Sequence, residues 1–504
     1  MSSVKPTPAA LDLSSDLARD RLPPPVRSET ELATALLARL RPGLDWAGVQ
    51  ARALPWVEQV RAHPAPFWAL ESLLRECPIS SAEGRALMRL AEALLRVPDT
   101  ETAIALASDQ LATADFAAHA STADGATGQL VGRLAGQALA LAQKLLPQDG
   151  EARGLIARLG AHGVVAATLR AIGLLGEQFV LGQDIAAALK RADAARADQT
   201  RQQIAALGEA CASLPLRYSY DMLGEGARTE ADALRYLDAY HRAIAAIARS
   251  QGRAERPEDA DGISIKLSAL FERYEAAQAD EVARVLLPRV VSLANAAAAA
   301  NIHLTIDAEE CERLELSIAL IDALCAQLAT SAPGWRGLGL ALQAYQQRAP
   351  ELITELAALA RRHGRRLMVR LVKGAYWDAE IKRAQELGLA GYPVWTHKHH
   401  TDMAYLACAE QLLAAPDCFY PQFATHNAAT LAALMELADH APALPPGAHP
   451  DRFELQRLHG MGEAVHRELQ KAPGAPALRV YAPVGPHRDL LAYLVRRLLE
   501  NGAN

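Results

Sequence analysis

The sequence predicts a (βα)8, TIM-like barrel preceded by an all-helical N-terminal region. Three observations carry that expectation. Before about Leu214 amphipathic helical runs follow one another, and after it short apolar strands alternate with helical runs. The alternation repeats eight times over roughly 290 residues, which suits a closed barrel of βα units. The first strand is not followed by the glycine-rich turn that opens a doubly wound nucleotide-binding sheet.

Taken in order, residues 1–28 are rich in Pro, Ser and Asp and read as a poorly ordered leader. Residues 29–212 read as a helical arm and helical domain. ETELATALLARL, SAEGRALMRLAEALLRVPD and GQDIAAALKRADAARADQTRQQIAALGEA place apolar residues at i, i+3, i+4 and i+7, with breaks at Pro64–Pro66, Pro98, Pro147 and Gly182. Residues 213–504 hold the barrel. Its strands are LPLRYSY (214–220), GISIKLS (262–268), IHLTID (302–307), GLGLALQ (337–343), RLMVRLV (366–372), YPQFATH (420–426), FELQRLH (453–459) and LRVYAPV (478–484). Amphipathic runs such as EADALRYLDAYHRAIAAIA and APELITELAALARRHG separate them, and HRDLLAYLVRRLLENG closes the pattern.

Composition narrows the function classes. Of 504 residues, 51% are hydrophobic and 22% charged, so a disordered chain is excluded and a large core can form. No run of about 18 apolar residues lacks charges, so no transmembrane helix is expected, and the N-terminus has no secretory pattern. The net charge of −6 argues against a mainly nucleic-acid-binding chain. The 6 cysteines form no CxxC pair, which suits reduced thiols and a cytoplasmic location. There is no GxxxxGK[ST] loop and no HExxH helix.

Chemistry in such a barrel lies at the C-terminal ends of the strands. Those ends carry Asp221, Lys266, Asp307, Gln343, Arg370 with Lys373, His426 with Asn427, Gln456 with His459, and Tyr481. One polar rim residue means little, but a full ring of them points to a site for a large polar ligand. A Schiff-base or metal-dependent barrel lyase of the aldolase kind is the alternative class, with Lys266 or Lys373 as the imine lysine. The cluster THKHH (396–400) reads as a solvated loop with no metal, since Asp402 is the only carboxylate near it in sequence.

RYSYDMLGE (217–225), SIKLSAL (264–270), TIDAEE (305–310), QAYQ (343–346), RLVKGAYWD (370–378), PQFATHN (421–427), LHGMGE (458–463), YAPVG (481–485) and YLVRRLLENG (493–502) together closely resemble the proline dehydrogenase portion of the proline utilization A flavoenzymes. With GEQFVLG (176–182) the resemblance covers about residues 29–504. It implies FAD-dependent oxidation of L-proline to Δ1-pyrroline-5-carboxylate, the first step of proline catabolism to glutamate, with electrons passed to a membrane quinone. It implies catalytic or substrate-binding roles for Lys266, Asp307, Leu458, Tyr481, Arg496 and Arg497. The paired arginines suit a carboxylate, which a guanidinium grips in bidentate fashion. It implies FAD contacts for Gln343, Arg370, Val372, Lys373, Gly374, Ala375, Tyr376, Trp377, Thr425, His426, Asn427, Gln456 and Glu500. Asp221 and Glu225 are expected to form a polar network under the lysine, and no general base stands out.

The long members of that family continue into an aldehyde dehydrogenase and some begin with a DNA-binding ribbon–helix–helix. Neither is expected here, so nucleic acid is not an expected partner and a separate or removed aldehyde dehydrogenase would complete the pathway. Self-association through the helical arm and peripheral contact with the inner membrane face, to reach the quinone, complete the expectations.

Overall fold

All eight apolar runs fold as strands, and the strands close on one another. The structure, a computed structural model, describes residue 13 and residues 21–40, 44–63, 179–207, 216–443, 451–472 and 474–486. Three helices precede the barrel among these residues: α1 (Glu29–Leu40), α2 (Trp46–Ala62) and α3 (Ile185–Leu207). The strands are β1 (Arg217–Met222), β2 (Gly262–Ile265), β3 (Leu304–Ile306), β4 (Leu338–Gln343), β5 (Leu367–Val372), β6 (Phe419–Ala424), β7 (Glu454–Leu458) and β8 (Ala477–Val484). They form one closed parallel barrel in sequence order, with β8 returning to β1 from Arg217↔Arg479 to Met222↔Val484.

Between the strands run α4 (Glu230–Gln251), α5 (Leu287–Ala300), α6 (Leu314–Ser331), α7 (Ala349–Arg362), α8 (Trp377–Glu386), α9 (Lys398–Ala414), α10 (Ala428–Asp439) and α11 (Glu463–Gln470). Helix α4 shows why the sequence obeys its pattern. Thr229 caps it by accepting from the Asp232 N–H, two acidic residues sit in its first turn, and Gly252 ends it at φ 72°. Tyr240, Ala243, Ile244 and Ile247 bury one face. Residues 276–300 and 311–331 are long and apolar enough to cross a membrane by composition. Here they belong to barrel helices: α5 buries Leu287, Val290, Leu293, Ala294 and Ala297 along one stripe, and α6 buries Leu316, Leu320 and Leu324.

The structure differs from the sequence reading at particular places. Strand β1 runs to Met222, so Asp221 lies on the strand rather than beyond it. Strand β2 stops at Ile265 because the chain turns into a short 3-10 helix at Leu267–Ala269. Helix α8 has no counterpart in the sequence reading, for DAEIKRAQE is too polar to show a clear stripe. THKHH is a loop only at Thr396 and His397: His397 holds the N-cap position of α9 without a side-chain cap bond, and Lys398, His399 and His400 stand in its first turn. Residues 21–28, expected as part of a poorly ordered leader, are tied down. Arg21 pairs with Asp322 and Glu355 at 2.8 Å each, and Arg27 reaches Glu351 at 2.5 Å.

The chain divides into two compact units. One comprises 1–59, 184–458 and 462–484, so α1 and most of α2 belong with the barrel; the other comprises 60–183, 459–461 and 485–504. Most of the second unit lies outside the described residues, as do the Pro98 and Pro147 breaks and the final helical run. In it, Gly485 N–H bonds to the Gly182 carbonyl at 3.0 Å.

Candidate active site

Strand alternation decides which side chains meet inside the barrel. Arg217, Ser219 and Asp221 recur at every second position of β1, as do Ser264 and Lys266 across the end of β2, and Arg479 and Tyr481 on β8. The deepest of these meet one another. Arg479, fully buried, forms a bidentate pair with Glu454, Nε to Oε1 at 2.6 Å and Nη2 to Oε2 at 2.9 Å. Its remaining hydrogens go to the carbonyls of Tyr218, Ala260 and Glu258. Above this pair His303 lies against Ser219, and Gly262 leaves it room. A Cβ at Gly262 would stand 2.1 Å from the imidazole. Burial and the nearby arginines hold His303 neutral, well below its ordinary range.

The next layer carries the predicted site. Arg370 donates from Nε to Gln456 at 2.8 Å, from Nη2 to Ser264 at 2.8 Å and Ser219 at 3.0 Å, and from Nη1 to Asp307 at 2.6 Å. Its guanidinium lies 4.9 Å from the centre of the Tyr481 ring. Asp307 also accepts from the Tyr481 hydroxyl at 2.8 Å and from Lys266 Nζ at 3.2 Å. Lys266 Nζ donates to Asp221 at 2.7 Å and to Tyr481 at 3.4 Å, while its backbone N–H reaches the Tyr240 hydroxyl at 3.1 Å. Two carboxylates, one ammonium and one guanidinium thus balance within a single connected cluster.

The electrostatics follow from that arrangement. Burial would lower the Lys266 pKa, but Asp221, Tyr481 and Asp307 outweigh it and hold the amine protonated, well above its ordinary range. Burial works against an ionised Asp307, yet Lys266 and Arg370 keep it below the usual carboxylate range. Asp221 goes the other way: burial, joined by repulsion from Asp307, outweighs Lys266. Burial and the two carboxylates push the Tyr481 phenol well up, so it stays a donor.

The other predicted residues line the rim. Gln343 spans two loops, donating to the Glu309 carbonyl at 2.8 Å and accepting from the Ala375 N–H at 3.2 Å. After Val372, Lys373 pairs with Asp402 at 2.7 Å. Gly374 has φ 144°, and a Cβ there would lie 2.4 Å from the Tyr345 ring, so only glycine fits. Tyr376 is half-buried, packed with Cys311, Tyr345 and Val394. Trp377 begins α8, donates to the Trp395 carbonyl at 2.8 Å and is 42% exposed. Leu458 N–H donates to His426 at 3.1 Å. Thr425 is buried, and Asn427 caps α10 by accepting from Thr430. Glu225 is half-buried in the loop after β1. Arg496, Arg497 and Glu500 lie outside the described residues.

Sequence reasoning missed Ser219, Ser264, Glu454 and Arg479. Each stands two residues before a predicted one, so extending the strand alternation inward would have found them. It also missed Tyr240, which α4 contributes from outside the strands.

A family model described as proline dehydrogenase matches residues 204–504, more than half of the chain. The chain belongs to the proline dehydrogenase family. A second family model, the DNA-binding domain of proline dehydrogenase, matches residues 69–179. That match runs against the expectation of no nucleic-acid partner, and all but Phe179 of it lies outside the described residues. The bifunctional protein PutA of Escherichia coli is 47% identical over 448 residues, covering 86% of this chain and 32% of its own length. That of Rhizobium meliloti is 42% identical over 506 residues, with 95% and 38% covered. The chain therefore spans about a third of the length of these relatives. A crystal structure of a Bradyrhizobium japonicum Proline Utilization A (PutA) variant aligns with a TM-score of 0.68 at 45% identity, covering 96% of this chain and 46% of that one.

Proposed function

We propose that this chain is an FAD-dependent proline dehydrogenase that oxidises L-proline to Δ1-pyrroline-5-carboxylate. The observation that carries the reading is the linked cluster of Lys266, Asp307, Arg370 and Tyr481 at the barrel's C-terminal end, in a chain of the proline dehydrogenase family.

The donor set suits a flavin dinucleotide. The rim presents Arg370, Lys373, Gln343, Thr425, His426 and Gln456, cationic and amide groups matched to ring carbonyls and a pyrophosphate. Val372, Gly374, Ala375, Tyr376, Trp377, Asn427 and Glu500 complete the proposed set, with Gly374 allowing close backbone approach and Trp377 offering a face for the adenine. FAD, when bound, supplies the two-electron acceptor for the hydride leaving the proline ring carbon next to nitrogen. The chain's own groups do the rest. Arg496, Arg497 and the protonated Lys266 grip the carboxylate; Tyr481 and Leu458 pack on the ring. Asp307 orients Arg370, whose positive charge would favour the reduced form of a flavin held against it. The proline nitrogen gives up one proton as the C=N bond forms, and no side chain is assigned as its acceptor.

A lysine-imine lyase is not favoured. An imine lysine must be a free amine, and Lys266 is held protonated between two carboxylates. We further propose that electrons pass to a membrane quinone from a cytoplasmic enzyme held peripherally at the inner membrane face. The product would go to an aldehyde dehydrogenase activity, on a separate or longer chain, that completes conversion to glutamate. The division into leader, helical region and barrel near residues 28 and 212 also remains a proposal, as does self-association through the arm.

The test is a visible spectrum of the purified protein with L-proline added without oxygen. Flavin bands that bleach are the expected result. Bands that stay oxidised overturn the substrate, and their absence after FAD addition overturns the cofactor. Arg496→Met and Arg497→Met should each raise the proline KM while flavin stays bound; unchanged kinetics in both would remove the carboxylate assignment.

A further inference from the structure

Beside the rim, where Asp402 pairs with both Lys373 and Lys398, the fold assembles a donor set that the sequence does not reveal. Glu29 opens α1 and His397 and His400 open α9, and the fold brings them together across 371 residues. Their ligand atoms, one from each residue, all lie within 4.8 Å of one another. His400 Nδ1 is 2.6 Å from Glu29 Oε1, and His397 Nδ1 is 3.5 Å from the same oxygen.

We propose that Glu29, His397 and His400 bind one divalent transition-metal ion of the zinc or cobalt class, which staples the N-terminal arm to the barrel. The chemistry of the donors selects the ion. Two imidazoles and one carboxylate suit Zn2+, Co2+, Ni2+ or Cu2+, and suit Mg2+ or Ca2+ poorly. A tetrahedral zinc site with bonds of about 2.0–2.1 Å sets its ligand atoms about 3.4 Å apart. The His397 Nδ1 separation of 3.5 Å from Glu29 Oε1 already matches, while the 2.6 Å contact of His400 has to open to reach that value. The carboxylate is already aimed. Its Oε2 accepts from the Thr396 hydroxyl at 2.7 Å, and the Thr396 N–H bridges both oxygens at 3.1 and 3.2 Å. His397 is largely exposed, which leaves an entry path and a coordination position for water.

Binding has a definite proton balance. In the metal-free site the His400 Nδ1–H donates to Glu29 Oε1; coordination through Nδ1 moves that hydrogen to Nε2, so a neutral imidazole binds the ion with no net proton release. Thr396 Oγ1 lies 3.0 Å from His397 Nδ1, and that contact gives way to the metal. Two helix starts face the site with partial positive charge, which opposes a cation, and Lys398 stands beside it, paired with Asp402 at 2.9 Å. The affinity is therefore below that of a closed structural zinc site. His399 lies against His400, ring centroids 4.4 Å apart, and serves as a neighbour rather than a ligand.

The experiment uses the full-length, tag-free protein with its flavin, stripped of metal by dialysis against chelator. It is titrated with Zn2+ by calorimetry and with Co2+ by visible absorption, with Mg2+ as control. One equivalent of Zn2+ should bind, raise the Tm to a plateau, and compete with Co2+, with Mg2+ inert. His397→Ala, an exposed substitution that spares the fold, should weaken Zn2+ at least about tenfold and abolish the Tm rise. Glu29→Gln should do the same, and His399→Ala should keep both. The proposal is overturned by absence of stoichiometric binding, by equal binding of Mg2+, or by a Zn2+ affinity unchanged in His397→Ala. A lowered Tm in Glu29→Gln with no metal effect in the parent protein would mark the cluster as a hydrogen-bonded latch and equally overturn it.

Discussion

Two layers of the barrel interior use the same residue types to opposite ends. The deep layer pairs Arg479 with Glu454 and satisfies the rest of the guanidinium with three carbonyls, so little capacity is left. The upper layer pairs Arg370 with Asp307, but shares each charge among several partners and sits at the mouth. Tyr481 and Arg479 are two residues apart on one strand, yet one belongs to each layer. A closed network holds the barrel together, whereas an open one can exchange partners with a ligand.

The sharpest way to break this comparison is to remove one charge from each layer. Arg479→Met leaves Glu454, buried and ionised by its arginine partners, without its main counterion. A loss of about 3–5 kcal/mol in unfolding free energy is expected, read by denaturant titration, as for a buried charge left without its main counterion. A loss below about 1 kcal/mol would place the pair among weak surface-like bridges. Asp307→Asn should do the reverse. It keeps the shape, and its effect should fall on turnover: a drop in kcat/KM for proline of about 10²–10³, the range for losing a preorganised electrostatic partner, with the Tm moving little. A large fall in Tm with intact turnover would erase the distinction between the layers.

How much of this was legible in the sequence depends on distance along the chain. The eight strands stand out because period-2 and continuous apolar runs are local signals, and the ends of those strands gave Asp221, Lys266, Asp307 and Arg370 directly. Their cross-barrel partnerships, Arg370 with Ser219 or Lys266 with Asp221, depend on closure and register, which no local pattern encodes. Glu454 and Arg479 were passed over because only the C-terminal ends of the strands were taken as site positions, and both stand near the start of theirs. Helix α8 was missed because its exposed, polar run buries only Glu380 and Ala384. The Glu29–His400 contact was beyond any local reading, since the carboxylate and the imidazole are separated by most of the chain.

The smallest expected effect sharpens the boundary between the layers. Tyr481 belongs to the open network through its hydroxyl and packs on Arg370 through its ring. Tyr481→Phe keeps the ring and removes the long contact from Lys266 and the hydrogen bond to Asp307, the latter worth about 1.5–3 kcal/mol at most and less where Lys266 and Arg370 still hold Asp307. A fall in kcat/KM of about tenfold is therefore expected, smaller than for Asp307→Asn. Because burial and the two carboxylates keep this phenol protonated far into the alkaline range, the variant should leave the alkaline limb of the pH–rate profile where it is. A shifted limb would mean that the hydroxyl ionises during turnover. Tyr481 would then be a proton-transfer group rather than a fixed donor to Asp307, and the open layer would include a titrating member.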